Sequence, residues 1–455
     1  MDRRLSENEI SYLLDHLEKH YSGPGIRDYL VTGVSSLEEG AGTGNRNRSL
    51  YIPQSESPVD PDKVITIGKI PVLFPCSEKK EWYSRDGNMI RFHHDILKSA
   101  FFLLSGYQDY VNEEPDAHGR FPWKSSVQHS LGITGIPVVN YYFDVILEAF
   151  EELCLETGLD FKRKEMEGPV LFLSHDVDRI KKYSLRNTGY MGLRLLGLRP
   201  SSSGFARNIR AFFQYARGTL LMKKDPYWNF DRLMDLEKKL GIRSTWYFLE
   251  KTAADNSKYH FSDPGISGLI QKLESDGHEV GIHGTLESSE DQEEMTGAIR
   301  RLNEVCDRPV IGIRQHYLKY RFPLTPRLQS RAGLTYDATL GFAEHIGFRN
   351  SYAHPFRLYD FEHQKPFEIV QIPLAVMEVS LLEYMKVPHR QAIETIGPLV
   401  EEVTRFRGVF SLLWHNCQLD EEEYPGINRT YRELLEWITG RGFRSMTGQE
   451  LAVSW

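Results

Sequence analysis

Cysteine is scarce in this chain. Four residues in 455, Cys76, Cys154, Cys306 and Cys417, lie far apart and form no C-x-x-C pair. That spacing argues against a disulfide framework or a cysteine zinc cluster and fits incidental thiols in a reducing compartment. Long apolar runs are also missing: no stretch of about 18 apolar residues occurs, so no membrane-spanning helix is expected. The opening Met1-Asp2-Arg3-Arg4-Leu5-Ser6-Glu7 turns charged again before any apolar run. This is not the pattern of a secretory leader, and a cytoplasmic protein is the expectation. Nor is there a basic excess, since 55 Lys and Arg face 63 Asp and Glu for a net charge of −8. That balance argues against a general nucleic-acid binder. What the chain does have is aromatic surface, 24 Phe, 23 Tyr and 7 Trp, enough to build sizeable cores. Its length allows two or three domains of roughly 150 residues.

Residues 1–165 read as a mixed α+β unit of unassigned role. Apolar residues at helical spacing predict a helix over Asn8–Tyr21, and two stronger ones over Ile96–Leu104 and Tyr141–Leu155. Short strands are expected at Val64–Ile67 and Ile70–Phe74. Residues 40–61 read as a loop, and Gly40-Ala41-Gly42-Thr43-Gly44 lacks the Gly-Lys-Ser/Thr ending of a phosphate loop. His93-His94-Asp95 is expected at a helix N-terminus rather than on a metal. The character changes near residue 165. The continuous apolar run Val170-Leu171-Phe172-Leu173 suits a strand covered on both faces. Helix-like and strand-like segments then alternate to the end of the chain, which predicts an α/β fold, either a βα barrel or a doubly wound sheet.

In such folds chemistry collects at the C-terminal ends of strands. One strand end reads Leu173-Ser174-His175-Asp176-Val177-Asp178, whose two carboxylates at i and i+2 project to one side. Another is Gly277-His278-Glu279-Val280-Gly281-Ile282-His283. His278 and His283 are an odd number apart and cannot both face one side, and His283 is the better candidate ligand. Glu287 comes within reach if the chain turns helically beyond it. Gly312-Ile313-Arg314-Gln315-His316-Tyr317 and Leu412-Leu413-Trp414-His415-Asn416 likewise finish apolar runs with polar groups. Each alone reads as a polar turn or a structural histidine; four together point to a site.

The order Asp-x-Asp, Gly-His-Glu-Val-Gly-x-His, Arg-x-x-Tyr and Leu-Leu-x-His resembles the NodB-like polysaccharide deacetylases over residues 166–455. The resemblance implies a partly closed (β/α) barrel, a divalent metal, most often Zn²⁺ with Mn²⁺ or Co²⁺ as options, and removal of acetyl groups from N-acetylated sugars. It implies that Asp176 is the catalytic base, paired with Arg314, and that Asp178 and His283 are metal ligands. The backbone N–H of Tyr317 would help hold the oxyanion, and His415 would be the general acid. The chain departs from the family where Glu287 replaces the second histidine of His-x-x-x-His. The third ligand is then either Glu287, an acceptable oxygen donor, or His316. The same departure keeps two other functions open: a glycan-binding protein without turnover, and a C–N hydrolase acting on a small non-sugar amide.

One stretch breaks the acidic average. Residues 181–224 contain ten Lys or Arg and no Asp or Glu, so they carry +10 and the remainder −18. Apolar and basic residues mix there at helical spacing over Tyr190–Leu198 and Phe205–Leu221. The segment reads as a basic insertion in the barrel unit. Contact with an anionic membrane, attraction of an anionic glycan or glycolipid substrate, and a solvated excursion all fit.

Overall fold

The structure is a computed structural model, and it describes residues 1–33, 48–164, 167–199, 204–222, 224–252, 255 and 257–455. Its centre is a parallel sheet of eight strands: β1 Val170–Val177, β2 Thr245–Phe248, β3 Glu279–Gly284, β4 Gly312–Gln315, β5 Tyr336–Asp337, β6 Val370–Gln371, β7 Val376–Met377 and β8 Val409–Leu413. Their spatial order is β6-β5-β4-β3-β2-β1-β8-β7, and every neighbouring pair is parallel. The sheet curls into a (β/α) barrel that stays open between its two edge strands β6 and β7. A further short strand, Arg444–Ser445, pairs with the start of β1.

The two-residue period of the strands sorts their side chains into two cores. Val170 and Phe172 of β1, Tyr247 of β2, Tyr336 of β5, Val370 of β6 and Val409 of β8 pack together inside the barrel. The alternate residues, among them Leu171, Leu173, Trp246, Phe248, Ile282, Ile313, Phe410 and Leu412, face outward into the larger core beneath the helices. Two glycines make the interior packing possible. A Cβ on Gly281 would lie 2.6 Å from the Tyr247 ring, and one on Gly312 would lie 2.0 Å from the Tyr336 ring.

The covering helices bury one stripe each. In Phe230–Lys239 the buried positions are Phe230, Leu233, Met234 and Glu237. In Gln292–Asn303 they are Met295, Ala298, Ile299 and Leu302. Both follow the i, i+3, i+4, i+7 spacing of a helix laid on a sheet. The second also has Asp291 accepting from the Glu294 N–H at its start, acids in its first turn and arginines in its last. That charge order suits the helix dipole. Pro264 opens the helix Pro264–Ser275, where its missing N–H costs no bond.

The N-terminal part holds a four-stranded sheet ordered Leu30–Gly33, Ser49–Pro53, Met89–Phe92, Tyr83–Asp86, with the hairpin Ile65–Ile67 and Ile70–Val72 beside it. The helices Glu7–Leu17, Ile96–Leu104 and Val138–Thr157 lie where periodicity placed them. The loop expected over residues 40–61 is corrected in part. Ser49–Pro53 is a wholly buried strand, because Leu50, Tyr51 and Ile52 supply apolar surface that the surrounding polar residues masked. The glycine run Gly40–Gly44 lies outside the described residues. Asp95 caps the helix Ile96–Leu104, and Nε2 of the buried His94 bonds to the Lys79 carbonyl, 2.8 Å away. We infer two structural units, residues 1–165 and 166–455, joined firmly: their buried apolar residues form one continuous core. Tyr12 Oη donates to the Arg357 carbonyl at 2.6 Å, and Tyr141 Oη donates to Glu402 at 2.8 Å.

The glycine packing is testable. Gly312→Ala should lose about 1–3 kcal/mol in urea denaturation, the cost of overpacking a filled core. Unchanged stability would mean that the Tyr336 ring does not occupy the space beside residue 312.

Candidate functional site

Strand parity carries the polar groups to one place. On β1, Ser174 and Asp176 share the interior parity of Phe172, and Asp178 continues it beyond the strand. On β3 the interior residues are Glu279, Gly281 and His283, and on β4 they are Gly312 and Arg314, with His316 next. Strand β8 continues to His415 on the parity of Ser411 and Leu413. Parallel pairing sets His283 beside Arg314 in register. The result is a cavity of about 490 Å³ whose lining includes Asp176, Asp178, His283, His316, Tyr317 and His415.

Parity also disposes of two other histidines. His175 points outward, where Nδ1 meets the Trp414 carbonyl at 2.7 Å and Nε2 meets Glu237 at 2.8 Å. His278 likewise lies under the helices, with Nδ1 3.0 Å from Ser244 Oγ. Both are buried structural histidines.

Within the cavity Asp178, His283 and His316 bring one donor atom each within 4.8 Å of one another. His283 Nε2 lies 3.3 Å from Asp178 Oδ1, and His316 Nε2 lies 3.7 Å from Asp178 Oδ2. Zinc-ligand bonds of about 2.0–2.2 Å in a tetrahedral site place neighbouring donors roughly 3.3–3.6 Å apart. The other ring nitrogens are already engaged. His283 Nδ1 faces the Arg314 carbonyl at 2.7 Å, and His316 Nδ1 faces Asp255 at 2.5 Å. Such partners engage Nδ1 and turn Nε2 toward the cavity, the orientation of a metal-binding histidine, with Nε2 free to bind once it has lost any proton it carries. Asp178 Oδ1 is buried with no hydrogen-bond partner, an atom that a cation would satisfy. These residues therefore fit a divalent metal. Burial alone would lower the His316 imidazole, but Asp178 and Asp255 outweigh it and hold it up at about 9.

Glu287 does not join this group, which corrects the first of the two expectations for the third ligand. After Gly284 the chain makes turns rather than a helix. Thr285 Oγ1 accepts the Ser288 N–H, and Ser288 Oγ bonds to the Thr285 carbonyl and to Gln315. That turn buries Ser288 and Ser289 and leaves Glu287 exposed. His316 supplies the second imidazole nitrogen beside Asp178.

Two oriented pairs adjoin the cluster. Arg314, wholly buried, donates from Nη1 to Asp176 at 3.1 Å and to Ser174 Oγ at 2.8 Å, and from Nε to the Ala338 carbonyl at 2.9 Å. Asp176 Oδ2 in turn lies 3.6 Å from His283 Nε2. His415 Nδ1 bonds to Glu378 at 2.6 Å, and its Nε2 lies 3.8 Å from both Asp176 and Asp178. Burial would lower the His415 imidazole, but the Glu378, Asp178 and Asp176 carboxylates outweigh it and raise it well above the ordinary histidine range. This arrangement keeps an imidazolium N–H pointed into the cavity. Tyr317 adopts left-handed backbone, φ 59°, and its ring stacks on His118 at 5.0 Å.

Sequence reasoning missed Glu378, Asp255 and Arg120. Glu378 follows the apolar β7 just as Asp178 follows β1, so the rule applied to four strand ends could have found a fifth. Asp255 and Arg120 come from loops with no such signal. Arg120 bonds to Asp116 and donates to the Tyr317 carbonyl at 3.0 Å, so the N-terminal part supplies a wall of the cavity.

Comparison with known proteins gives the following. Residues 43–155 match a family of unknown function, DUF7033. No curated protein sequence matches the chain. Solved polysaccharide deacetylases are similar in fold. A probable polysaccharide deacetylase from Pseudomonas aeruginosa PAO1 aligns with 63% of this chain and 90% of its own, at 14% identity and a TM-score of 0.42. The peptidoglycan deacetylase PdaC from Bacillus subtilis aligns over 64% and 93%, at 12% identity and 0.31. A CE4 family pseudoenzyme from Bacillus anthracis aligns over 63% and 66%, at 10% identity and 0.32.

The ligand set has a direct test by calorimetry with Zn²⁺. Replacing Asp178, His283 or His316 by Ala should weaken binding at least about 100-fold, and Asp255→Asn by about 10–100-fold, while Glu287→Gln changes it little. Because His316 must lose its proton to bind, affinity should fall about tenfold per pH unit below about 9. A Glu287→Gln loss as large as that of His316→Ala would overturn the assignment.

Proposed function

We propose that this protein is a metal-dependent hydrolase that removes the acetyl group from the nitrogen of an N-acetylated carbohydrate or glycolipid. The observation that carries the reading is the placement of Asp176 and His415 against the Asp178, His283 and His316 cluster, each held by its own buried partner.

A divalent ion of the zinc class, when bound, lowers the pKa of water from about 15.7 to about 7 and draws charge from a carbonyl oxygen. Asp178, His283 and His316 are the residues that would hold it. Asp176 takes the proton of the attacking water, and Arg314 keeps that carboxylate turned to the cavity. The backbone N–H of Tyr317 is assigned to the developing oxyanion. His415 delivers the proton that an amine needs in order to leave, and Glu378 fixes the imidazole so that Nε2 is the donating atom. A non-catalytic glycan binder would need cavity shape and hydrogen bonds, but not a carboxylate and an imidazole each held by a buried partner beside one cation site.

Incubation with N-acetylglucosamine oligomers and Zn²⁺, Mn²⁺ or Co²⁺ should release acetate, measured by enzymatic assay. Asp176→Asn and His415→Ala should each lower kcat by about 10²–10⁴-fold. Glycan binding without acetate from any of the three metals would favour the non-catalytic alternative, and release only from small non-sugar amides would move the substrate class.

A further inference from the structure

The basic stretch folds as two helices, Leu185–Leu195 and Phe205–Leu220. They pack antiparallel, with Thr188 Oγ1 3.0 Å from Thr219 Oγ1 and Gly192 seated against the Phe212 ring. The base of this hairpin is fastened to the barrel. The Asp225 carboxylate accepts from the backbone N–H groups of Lys182 and Tyr183 at 2.9 and 2.8 Å. The Lys182 ammonium pairs with Asp420, and Tyr183 Oη donates to Glu422 at 2.6 Å. Gly218 gives the Tyr183 ring its place, since a Cβ there would lie 2.4 Å from it.

The outer surface of the hairpin is what sets it apart. Seventeen large hydrophobic side chains are exposed among the described residues, and ten of them lie between Leu185 and Met222. Leu196 is 73% exposed, Phe205 68%, Phe213 65% and Leu220 75%. On the second helix Phe205, Phe213 and Leu220 stand at i, i+8 and i+15, on one side, and the exposed Arg210 and Arg217 border that side at i+5 and i+12. A solvated excursion has no use for so much exposed apolar surface. A second copy of the same face would bring like charges together, because residues 181–224 include ten basic residues and no acid to pair across the contact. Among the described residues no helix is long and apolar enough to cross a membrane. An apolar side rimmed by arginine on a helix that does not span suits the headgroup layer of an anionic bilayer.

We propose that the packed helices Leu185–Leu195 and Phe205–Leu220 dock the protein on an anionic lipid surface, with Phe205, Phe213 and Leu220 entering the headgroup layer and basic residues such as Arg210 and Arg217 meeting lipid phosphates. The docking places the barrel at that surface, because the hairpin leaves β1 directly after Asp178 and is held at its base.

The test is co-sedimentation of the full chain with vesicles of phosphatidylcholine alone or with about 30% phosphatidylglycerol, in low and high salt. The protein should pellet with the anionic vesicles and be released by salt. Arg210→Glu with Arg217→Glu should lower partition more than about tenfold, at about fivefold per basic group. Phe205→Ser with Phe213→Ser should also lose binding while keeping the wild-type circular dichroism spectrum. A wild-type protein that stays in the supernatant with anionic vesicles at low salt would overturn the proposal. So would light scattering that shows a dimer for the wild type and a monomer for the double Phe variant, since a second copy would then cover this face. Partition does not depend on turnover, so either result leaves the hydrolase reading to its own experiment.

Discussion

Side chains on a β-strand alternate between its two faces, and in a curled parallel sheet one face is the barrel interior. The consequences run through the whole chain. The same alternation that sends Leu171, Leu173 and His175 under the helices sends Phe172, Ser174, Asp176 and then Asp178 inward. On β3 it separates the structural His278 from His283, and on β4 it puts Arg314 and His316 on one side. Apolar interior residues fill the barrel toward the strand starts, while the ends are left to polar groups and a cavity. Gly281 and Gly312 belong to the same constraint, for they make room for the Tyr247 and Tyr336 rings that close the interior below the site.

Gathering two carboxylates, three imidazoles and a guanidinium in a largely buried cavity is costly unless each is paired. Here every one has a partner that also fixes its direction. Arg314 holds Asp176, Glu378 holds His415, Asp255 holds His316, and the Arg314 carbonyl holds His283. Asp178 Oδ1, Arg314 Nη2 and Glu378 Oε2 are nevertheless buried without a hydrogen-bond partner. The unsatisfied Asp178 oxygen, on a carboxylate faced by the Nε2 atoms of His283 and His316, gives the cluster its character as a cation site.

Much of this was legible in the sequence. Apolar runs ending in Asp, His or Arg located the four strand ends, and the parity of His278 and His283 separated the structural histidine from the site histidine. The choice between Glu287 and His316 was not legible, because it depends on whether the chain after β3 coils into a helix or turns. Thr285 and Ser288 settle it through local side-chain to backbone bonds. Asp255 and Arg120 reach the site from loops, where no period predicts direction. The strand Ser49–Pro53 was hidden by a polar, glycine-rich neighbourhood, although Leu50-Tyr51-Ile52 is apolar throughout. The basic helices were legible as helices, but the exposure of their apolar residues was visible only once the barrel and its covering helices were in place.

The central claim is that Asp178, His283 and His316 form one cation site, with Asp176 and His415 poised beside it. Anomalous diffraction at the zinc absorption edge, from crystals grown with Zn²⁺, tests it most directly. The account predicts one strong peak within bonding reach of a carboxylate oxygen of Asp178 and the Nε2 atoms of His283 and His316, with Glu287 turned to solvent. A peak ligated by Glu287, or the absence of any peak among these three residues, would contradict it.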